Sequence, residues 1–378
     1  MIRGEIEKRL ERISSDGSNV FASKQFLLSH QIYSGRKMNI LLTGGAGYIG
    51  SHTAVLLLNE GYQVSIVDNF CNSHISTVSS VEKITGKKLT CIKGDVRDTK
   101  LLVETLHSKR IDSVIHFAGL KSVGESAVSP LEYYANNVQG SISLLKAMQE
   151  CDVNALVFSS SATVYGSPQY LPIDEAHPMA PTSPYGQTKL QIEQILQDVC
   201  GANKQFRVAN LRYFNPVGAH ESGLIGENPR GTPNNLMPFV SQVAIGRQEA
   251  LSVYGDDYDT PDGTGVRDYI HVMDLAQGHL SALNYLNKNV GIATFNLGTG
   301  SGHSVLDLIN AFERQSGKKI HYKITPRRVG DISTCYANAD KAKAILNWIP
   351  RYSLDQMCIS AWNWQKSQDV KMREGEIG

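Results

Sequence analysis

The chain lacks almost everything that would mark a metal, disulfide or membrane protein. Its six cysteines (Cys71, Cys91, Cys151, Cys200, Cys335 and Cys358) are widely scattered with no C-x-x-C spacing. That argues against a disulfide scaffold and a zinc site, and a reducing cytoplasm is the simpler setting. The eleven histidines form no H-E-x-x-H run, so no metal ligand set is expected. No apolar stretch approaches the roughly 18 residues needed to span a bilayer. A net charge of +1 gives no reason to expect nucleic-acid or membrane-surface binding. Internal repeats and low-complexity tracts are missing as well. What is present is 378 residues, 41% of them hydrophobic, enough for a large core divided between two lobes.

Residues 1–37 stand apart. They hold seven basic residues (Arg3, Lys8, Arg9, Arg12, Lys24, Arg36, Lys37) and four acidic ones (Glu5, Glu7, Glu11, Asp16). That is 7 − 4 = +3, leaving +1 − 3 = −2 for the remainder. Glu5 to Ile13 has the pattern of a short helix that Ser14-Ser15-Asp16-Gly17-Ser18 stops. Four acids and no long apolar stretch argue against a targeting peptide, so a loosely ordered extension is expected, or Met38 as the effective first residue.

From Met38 onward strand and helix patterns alternate. Candidate strands are 38–44, 63–68, 90–94, 113–118, 155–160 and 206–213; helical periodicity marks 131–148 and 184–199. This predicts an α/β fold, a Rossmann-type doubly wound parallel sheet, over 38–213. After Tyr213 the regularity weakens through Pro216, Gly218, Gly223, Gly226, Pro229, Gly231 and Pro233. Residues 214–378 are therefore expected to form a smaller lobe over the carboxyl ends of the strands, where open α/β sheets bind ligands.

The first strand enters Thr43-Gly44-Gly45-Ala46-Gly47-Tyr48-Ile49-Gly50. Gly45, Gly47 and Gly50 satisfy G-x-G-x-x-G, and Gly44, Gly47 and Gly50 give an equally regular alternative. Glycines permit the tight turn and close approach of the backbone to a pyrophosphate, which the following helix N-terminus faces with its free amides. A second strand ends in Asp68, about 20 residues on, as a dinucleotide site requires. An acid there accepts hydrogen bonds from ribose hydroxyls and repels a 2′-phosphate. No arginine follows in Asn69-Phe70-Cys71-Asn72, which favours NAD over NADP.

Tyr185 and Lys189 lie four residues apart, so on a helix they share a face. An ammonium beside a phenol is expected to lower its pKa toward neutrality and make it a proton carrier. Strand 155–160 runs into Ser161, whose hydroxyl would stand at the strand's carboxyl end beside that phenol.

These motifs together resemble the extended short-chain dehydrogenase/reductase family, and within it the nucleotide-sugar 4-epimerases. The likeness rests on the glycine loop, FAGLKSVGES (117–126), SSSATVYG (159–166), Tyr-x-x-x-Lys, LRYFNPVGAH (211–220), NNLMP (234–238) and DGTGVRDYIHVMD (262–274), and covers 38–365. It implies interconversion of UDP-glucose and UDP-galactose with tightly bound NAD; the alternative is an epimerase or NAD-dependent oxidoreductase acting on another nucleotide sugar. Tyr185 would move the proton of the sugar 4-hydroxyl, Ser161 would hydrogen-bond that oxygen, and Lys189 would hold the nicotinamide ribose. The resemblance implies cofactor contacts from Gly44, Gly47, Tyr48, Ile49 and Gly50, and from Asp68, Asn69, Asn72 and Ser73 at the adenosine ribose. Asp95 and Val96 would lie at the adenine end, Phe117, Ala118, Lys121, Asn136 and Phe214 farther along. Substrate contacts would come from Lys121, Ser161, Thr163, Tyr185, Asn215, Asn235, Leu236, Tyr254, Arg267, Arg328, Asp331 and Cys335. The related dehydratases carry acids just after the strand-end hydroxyl, where this chain has Ala162 and Thr163. Cys335, where a tyrosine would restrict the pocket to glucose and galactose, leaves room for a 2-acetamido group. A homodimer is also implied, through an interface that includes the Tyr185 helix.

Overall fold

A computed structural model describes residues 37–373 apart from 232, 234 and 329. The expected helix at Glu5–Ile13 lies outside the described residues. Six strands fall where the sequence places them: β1 (Asn39–Thr43), β2 (Gln63–Asp68), β3 (Thr90–Lys93), β4 (Ser113–His116), β5 (Ala155–Ser161) and β6 (Arg207–Tyr213). Burial on both faces explains the largely apolar sequences of β1, β2, β4 and β5, whereas β3, at the sheet edge, is more exposed.

Seven more strands follow: β7 (Asn215–Val217), β8 (Leu251–Tyr254), β9 (Val266–His271), β10 (Gly291–Leu297), β11 (Gly302–Ser304), β12 (Tyr322–Thr325) and β13 (Thr334–Cys335). The main sheet is entirely parallel, in the order β10-β6-β5-β4-β1-β2-β3. Its edge strand β10 comes from beyond Tyr213 and pairs with β6 from Gly291↔Arg207 to Leu297↔Tyr213. A smaller sheet places β9 between β11 and β13, with β7 also on β9, while β12 pairs with β8.

One face of the main sheet is covered by the helices Thr99–Ser108, Gly140–Glu150 and Pro184–Ala202, whose Leu102, Leu106, Leu144, Met148, Ile192 and Leu196 pack onto Leu41, Val114, Leu156 and Val208. The helices Tyr48–Asn59 and Val272–Leu286 pack against one another elsewhere in the fold. A separate core, with Met237, Val253, Tyr269, Phe312 and Trp362, underlies the smaller sheet.

The continuous helix expected at 131–148 is corrected by the structure. Pro130–Tyr133 leads into a π-helical segment, Tyr134–Gln139, and only then into Gly140–Glu150. The wider turn accompanies Asn137, which is 1% exposed. Its Oδ1 accepts from Leu120 N (2.8 Å), and its Nδ2 donates to Leu120 O (3.0 Å) and Thr188 Oγ1 (3.1 Å). One side chain thus ties the loop after β4 to the helix carrying Lys189.

Candidate active site

The carboxyl ends of β1, β2, β4, β5 and β6 open onto one cavity. Its lining includes Gly44, Gly47, Tyr48, Ile49 and Gly50 from the glycine loop, then Asp68, Asn69, Asn72 and Ser73 beyond β2. Val96, Phe117, Ala118, Lys121 and Asn136 follow, with Ser161, Thr163, Tyr185, Lys189, Phe214, Asn215 and Asn235. Asp95, Leu236, Tyr254, Arg267, Arg328, Asp331 and Cys335 are not among the lining residues.

At the glycine loop, backbone geometry dictates residue type. Gly44 has φ +69°, and a Cβ there would come within 2.7 Å of Ala118 N. The helix Tyr48–Asn59 starts at Gly47 with no side-chain cap and no acid in its first turn. Such an end offers amide donors and a partial positive charge to an anion. Asp68 is 7% exposed; its Oδ2 accepts from Ala46 N (3.0 Å), and its Oδ1 from Phe70 N (2.9 Å) and Ser73 Oγ (2.8 Å). Asp95 is drawn to Arg97, Nε to Oδ1 at 2.8 Å, and that hydrogen-bonded guanidinium holds its carboxyl well below the usual range.

The group of Ser161, Tyr185 and Lys189 is assembled by a strand end and a helix start. Ser183 caps the helix Pro184–Ala202 through Gly186 N (3.1 Å), with Pro184 at its first turn. Tyr185 and Lys189 emerge one turn apart, both buried (6% and 4% exposed). Ser161 Oγ accepts from Thr163 N (3.2 Å) and Thr163 Oγ1 (3.0 Å), at the strand end that faces the Tyr185 phenol across the cavity. Lys189 Nζ donates to Ser159 O (2.8 Å) and lies 5.9 Å from the Tyr185 ring centroid.

The expected lowering of the Tyr185 pKa is not found. Burial pushes the phenol well up, with Ser161 pulling the other way. Burial also lowers Lys189, to about 8, against the attraction of Glu193. Desolvation outweighs the ammonium because Lys189 points its hydrogen bond at the backbone rather than at the phenol oxygen.

Most of the residues outside the cavity lining fall in two separate places. Arg328 pairs with Asp331 (Nε to Oδ2, 2.9 Å) and stacks 4.5 Å over Tyr254. Arg267 NH1 donates to Val266 O (2.9 Å) and Ser333 O (3.3 Å), and lies opposite Cys335 in the β9–β13 register. Cys335 is buried with Val164, Tyr165, Leu190 and Phe214, and burial raises its thiol to about 11.

Among the lining residues given no role by the sequence analysis are Tyr213 and Glu227. Tyr213, the last residue of β6, receives a hydrogen bond from Ser159 Oγ (3.2 Å); it lies within LRYFNPVGAH but was given no role there. Glu227 lies in a glycine- and proline-rich loop and accepts from both Lys121 Nζ (2.8 Å) and Asn235 Nδ2 (2.6 Å). Nothing in a local sequence window announces an acid whose partners are 106 and 8 residues away.

A parallel sheet with an uncapped glycine-loop helix and a Ser-Tyr-Lys group at its carboxyl edge defines an extended short-chain dehydrogenase/reductase. A family profile described as GDP-mannose 4,6 dehydratase matches residues 41–360. The chain is 54% identical over 330 residues to the UDP-glucose 4-epimerase of Bacillus subtilis (strain 168), covering 87% of this chain and 97% of that protein. Among solved structures it is similar to the UDP-glucose 4-epimerase of Bifidobacterium longum in complex with NAD+ and UDP (52% identity, TM-score 0.86, 88% and 99% of the two chains). It is equally similar in shape to the Stenotrophomonas maltophila enzyme with bound NAD and formylated UDP-arabinopyranose (50% identity, TM-score 0.86, 88% and 99%). The chain belongs to the UDP-glucose 4-epimerase family.

Proposed function

We propose that this enzyme interconverts UDP-glucose and UDP-galactose through transient oxidation at sugar C4. The observation that carries this is the convergence of Ser161, Tyr185 and Lys189 on the cavity that also receives the uncapped glycine-loop helix, Asn215 and Asn235. The helix N-terminus and the carboxylate of Asp68 fit a dinucleotide's pyrophosphate and ribose, as the NAD named in the two similar structures supports. NAD, when bound, supplies a reversible hydride acceptor and ends each turnover in the state in which it began.

The chain's own residues handle the proton. In its phenolate form Tyr185 takes that proton from the 4-hydroxyl, becoming the neutral phenol, and returns it, while Ser161 holds that oxygen by a hydrogen bond. Lys189 holds the nicotinamide ribose. The 4-keto sugar turns over in the pocket and regains its hydrogen on the other face. Arg267 and Arg328 serve the diphosphate, whose oxygens suit guanidinium forks. Dehydration is disfavoured: the carboxylates lining the cavity among the described residues are Asp68 and Glu227, and both are engaged. The family likeness sets Cys335 beside the sugar, and its small side chain in place of a tyrosine supports a wider range that takes in UDP-GlcNAc and UDP-GalNAc. The enzyme works in the cytoplasm, as six free cysteines suit, and as the homodimer the family likeness implies.

A coupled assay on UDP-galactose tests this directly. UDP-glucose should appear without NADH accumulating, and denaturing the purified protein should release NAD. Net formation of NADH would favour the alternative, an oxidoreductase of another nucleotide sugar. No consumption of UDP-galactose would sink the proposal.

A further inference from the structure

Asp68 and Glu227, the two carboxylates on the cavity wall, are held in different ways. Asp68 is satisfied by two backbone amides and Ser73. Glu227, its side chain 9% exposed, gives Oε1 to two side chains, one 106 residues away and one eight residues away. Lys121 follows β4 of the main sheet, and Asn235 stands at the N-terminus of the helix Leu236–Ala244. At that position an asparagine would ordinarily cap the helix, yet Asn235 makes no cap bond and gives its amide to Glu227 instead. The acid is fixed from behind. Gly226 lies against the Trp364 indole, whose Nε1 donates to Glu227 O (3.4 Å).

We propose that Glu227 is a positioning residue for the UDP-sugar, holding Lys121 and Asn235 with their remaining N–H groups available to the ligand; this rests on the function proposed above. Lys121 has three N–H donors and Asn235 has two, so the bonds to Glu227 leave two and one. Without the carboxylate, the lysine is a flexible four-carbon stem whose side chain is already 42% exposed. Ordering it on ligand binding would then cost rotamer entropy that the free enzyme has already lost. The same ion pair leaves the wall near neutral before the diphosphate arrives. Burial works against the charge on Lys121, but Glu227 outweighs it and raises the ammonium's pKa.

The test uses the purified enzyme with UDP-galactose for kinetics and UDP for calorimetry. Glu227→Ala should raise KM about tenfold or more, the size of a lost charge-assisted hydrogen bond, with kcat falling by less than KM rises. Glu227→Gln, which preserves shape and an acceptor oxygen, keeps the test alive if the alanine variant fails to fold. It should weaken UDP binding by a smaller factor, about threefold. In a cycle with Lys121→Met, the Glu227→Gln penalty should largely vanish, because the two act as one unit. Unchanged or tighter UDP binding in Glu227→Gln, or full additivity with Lys121→Met, overturns the proposal. So does a kcat loss that accounts for the whole change in kcat/KM. Wild-type turnover of UDP-galactose is a separate arm: its absence sinks the function itself, whereas its presence with unmoved variants sinks only the role of Glu227.

Discussion

Gly44 is located by main chain: its N–H donates to Val67 O (2.8 Å), and Ala118 N donates to Thr43 O (2.9 Å) just beside it. Arg328 is located by other side chains, through its pair with Asp331 and its stack on Tyr254, and its own side chain is 56% exposed. The same contrast separates Asp68, gripped by amides, from Lys121, gripped by Glu227. Parallel-sheet register fixes a residue at a strand's carboxyl end almost regardless of what else is bound. Exposed ion pairs contribute only about 0–1 kcal/mol each, so the nucleotide-sugar side gains its order largely from mutual pairing and from ligand. The dinucleotide side is built; the sugar side is assembled.

The largest effect should come from the built side. Tyr185→Phe removes the proton carrier while leaving the ring's packing, and should lower turnover by about 10²–10⁴-fold with NAD still released on denaturation. Unchanged turnover would refute the phenol's role. Next is Gly44→Ala. With φ +69° and Ala118 N only 2.7 Å from the new Cβ, it should cost about 3 kcal/mol or more in urea unfolding, since a non-glycine residue is strained there even without the clash. A loss under about 1 kcal/mol would mean that the loop is less rigid than its hydrogen bonds imply.

On the assembled side, substitutions should change selection more than rate. Cys335→Tyr is expected to cut turnover of UDP-GalNAc about tenfold or more while changing UDP-galactose turnover by less than about threefold. Equal turnover of UDP-GalNAc by wild type and variant, or none in either, would end the acetamido hypothesis.

The smallest effect is a shared one, on stability against pH. Burial lowers His116 to about 3 and His279 to about 4, so both are neutral in the fold at moderate pH. The unfolded chain binds protons on these groups from about 6.5 downward, where the folded chain does not. Their contribution is therefore present above about 6.5 and is lost as the pH falls toward 4 and then 3. His116→Gln should flatten that decline in thermal melts between pH 6.5 and 4; an identical slope would show that other groups carry it.

The same contrast decides how much could be read from sequence. Strands β1 to β6, the glycine loop, Asp68, Ser161, Tyr185 and Lys189 were legible because local spacing and the position of strand ends determine them. The π-helical segment was not, since Asn137 is turned inward by partners at Leu120 and Thr188 that no helical period encodes. Glu227 was hidden for a related reason: its place depends on Lys121, 106 residues away, and on a loop that brings Asn235 back to it. The protonation of Tyr185 was misjudged because a tyrosine-lysine spacing reports proximity, while burial is a property of the whole fold.

The return of β10 to the main sheet also has a kinetic side. Between Tyr213 and Gly291 the chain leaves the sheet, builds β7, β8 and β9, and only then covers the open edge of β6. Closing so long an excursion is a slow, non-local step, since its entropy is spent before the pairing repays it. Until it happens, β6 presents an unpaired row of amides and carbonyls, a template for association with other unfinished chains. Pairing of β10 thus ends the exposure of β6, and β10 itself becomes the edge of the sheet.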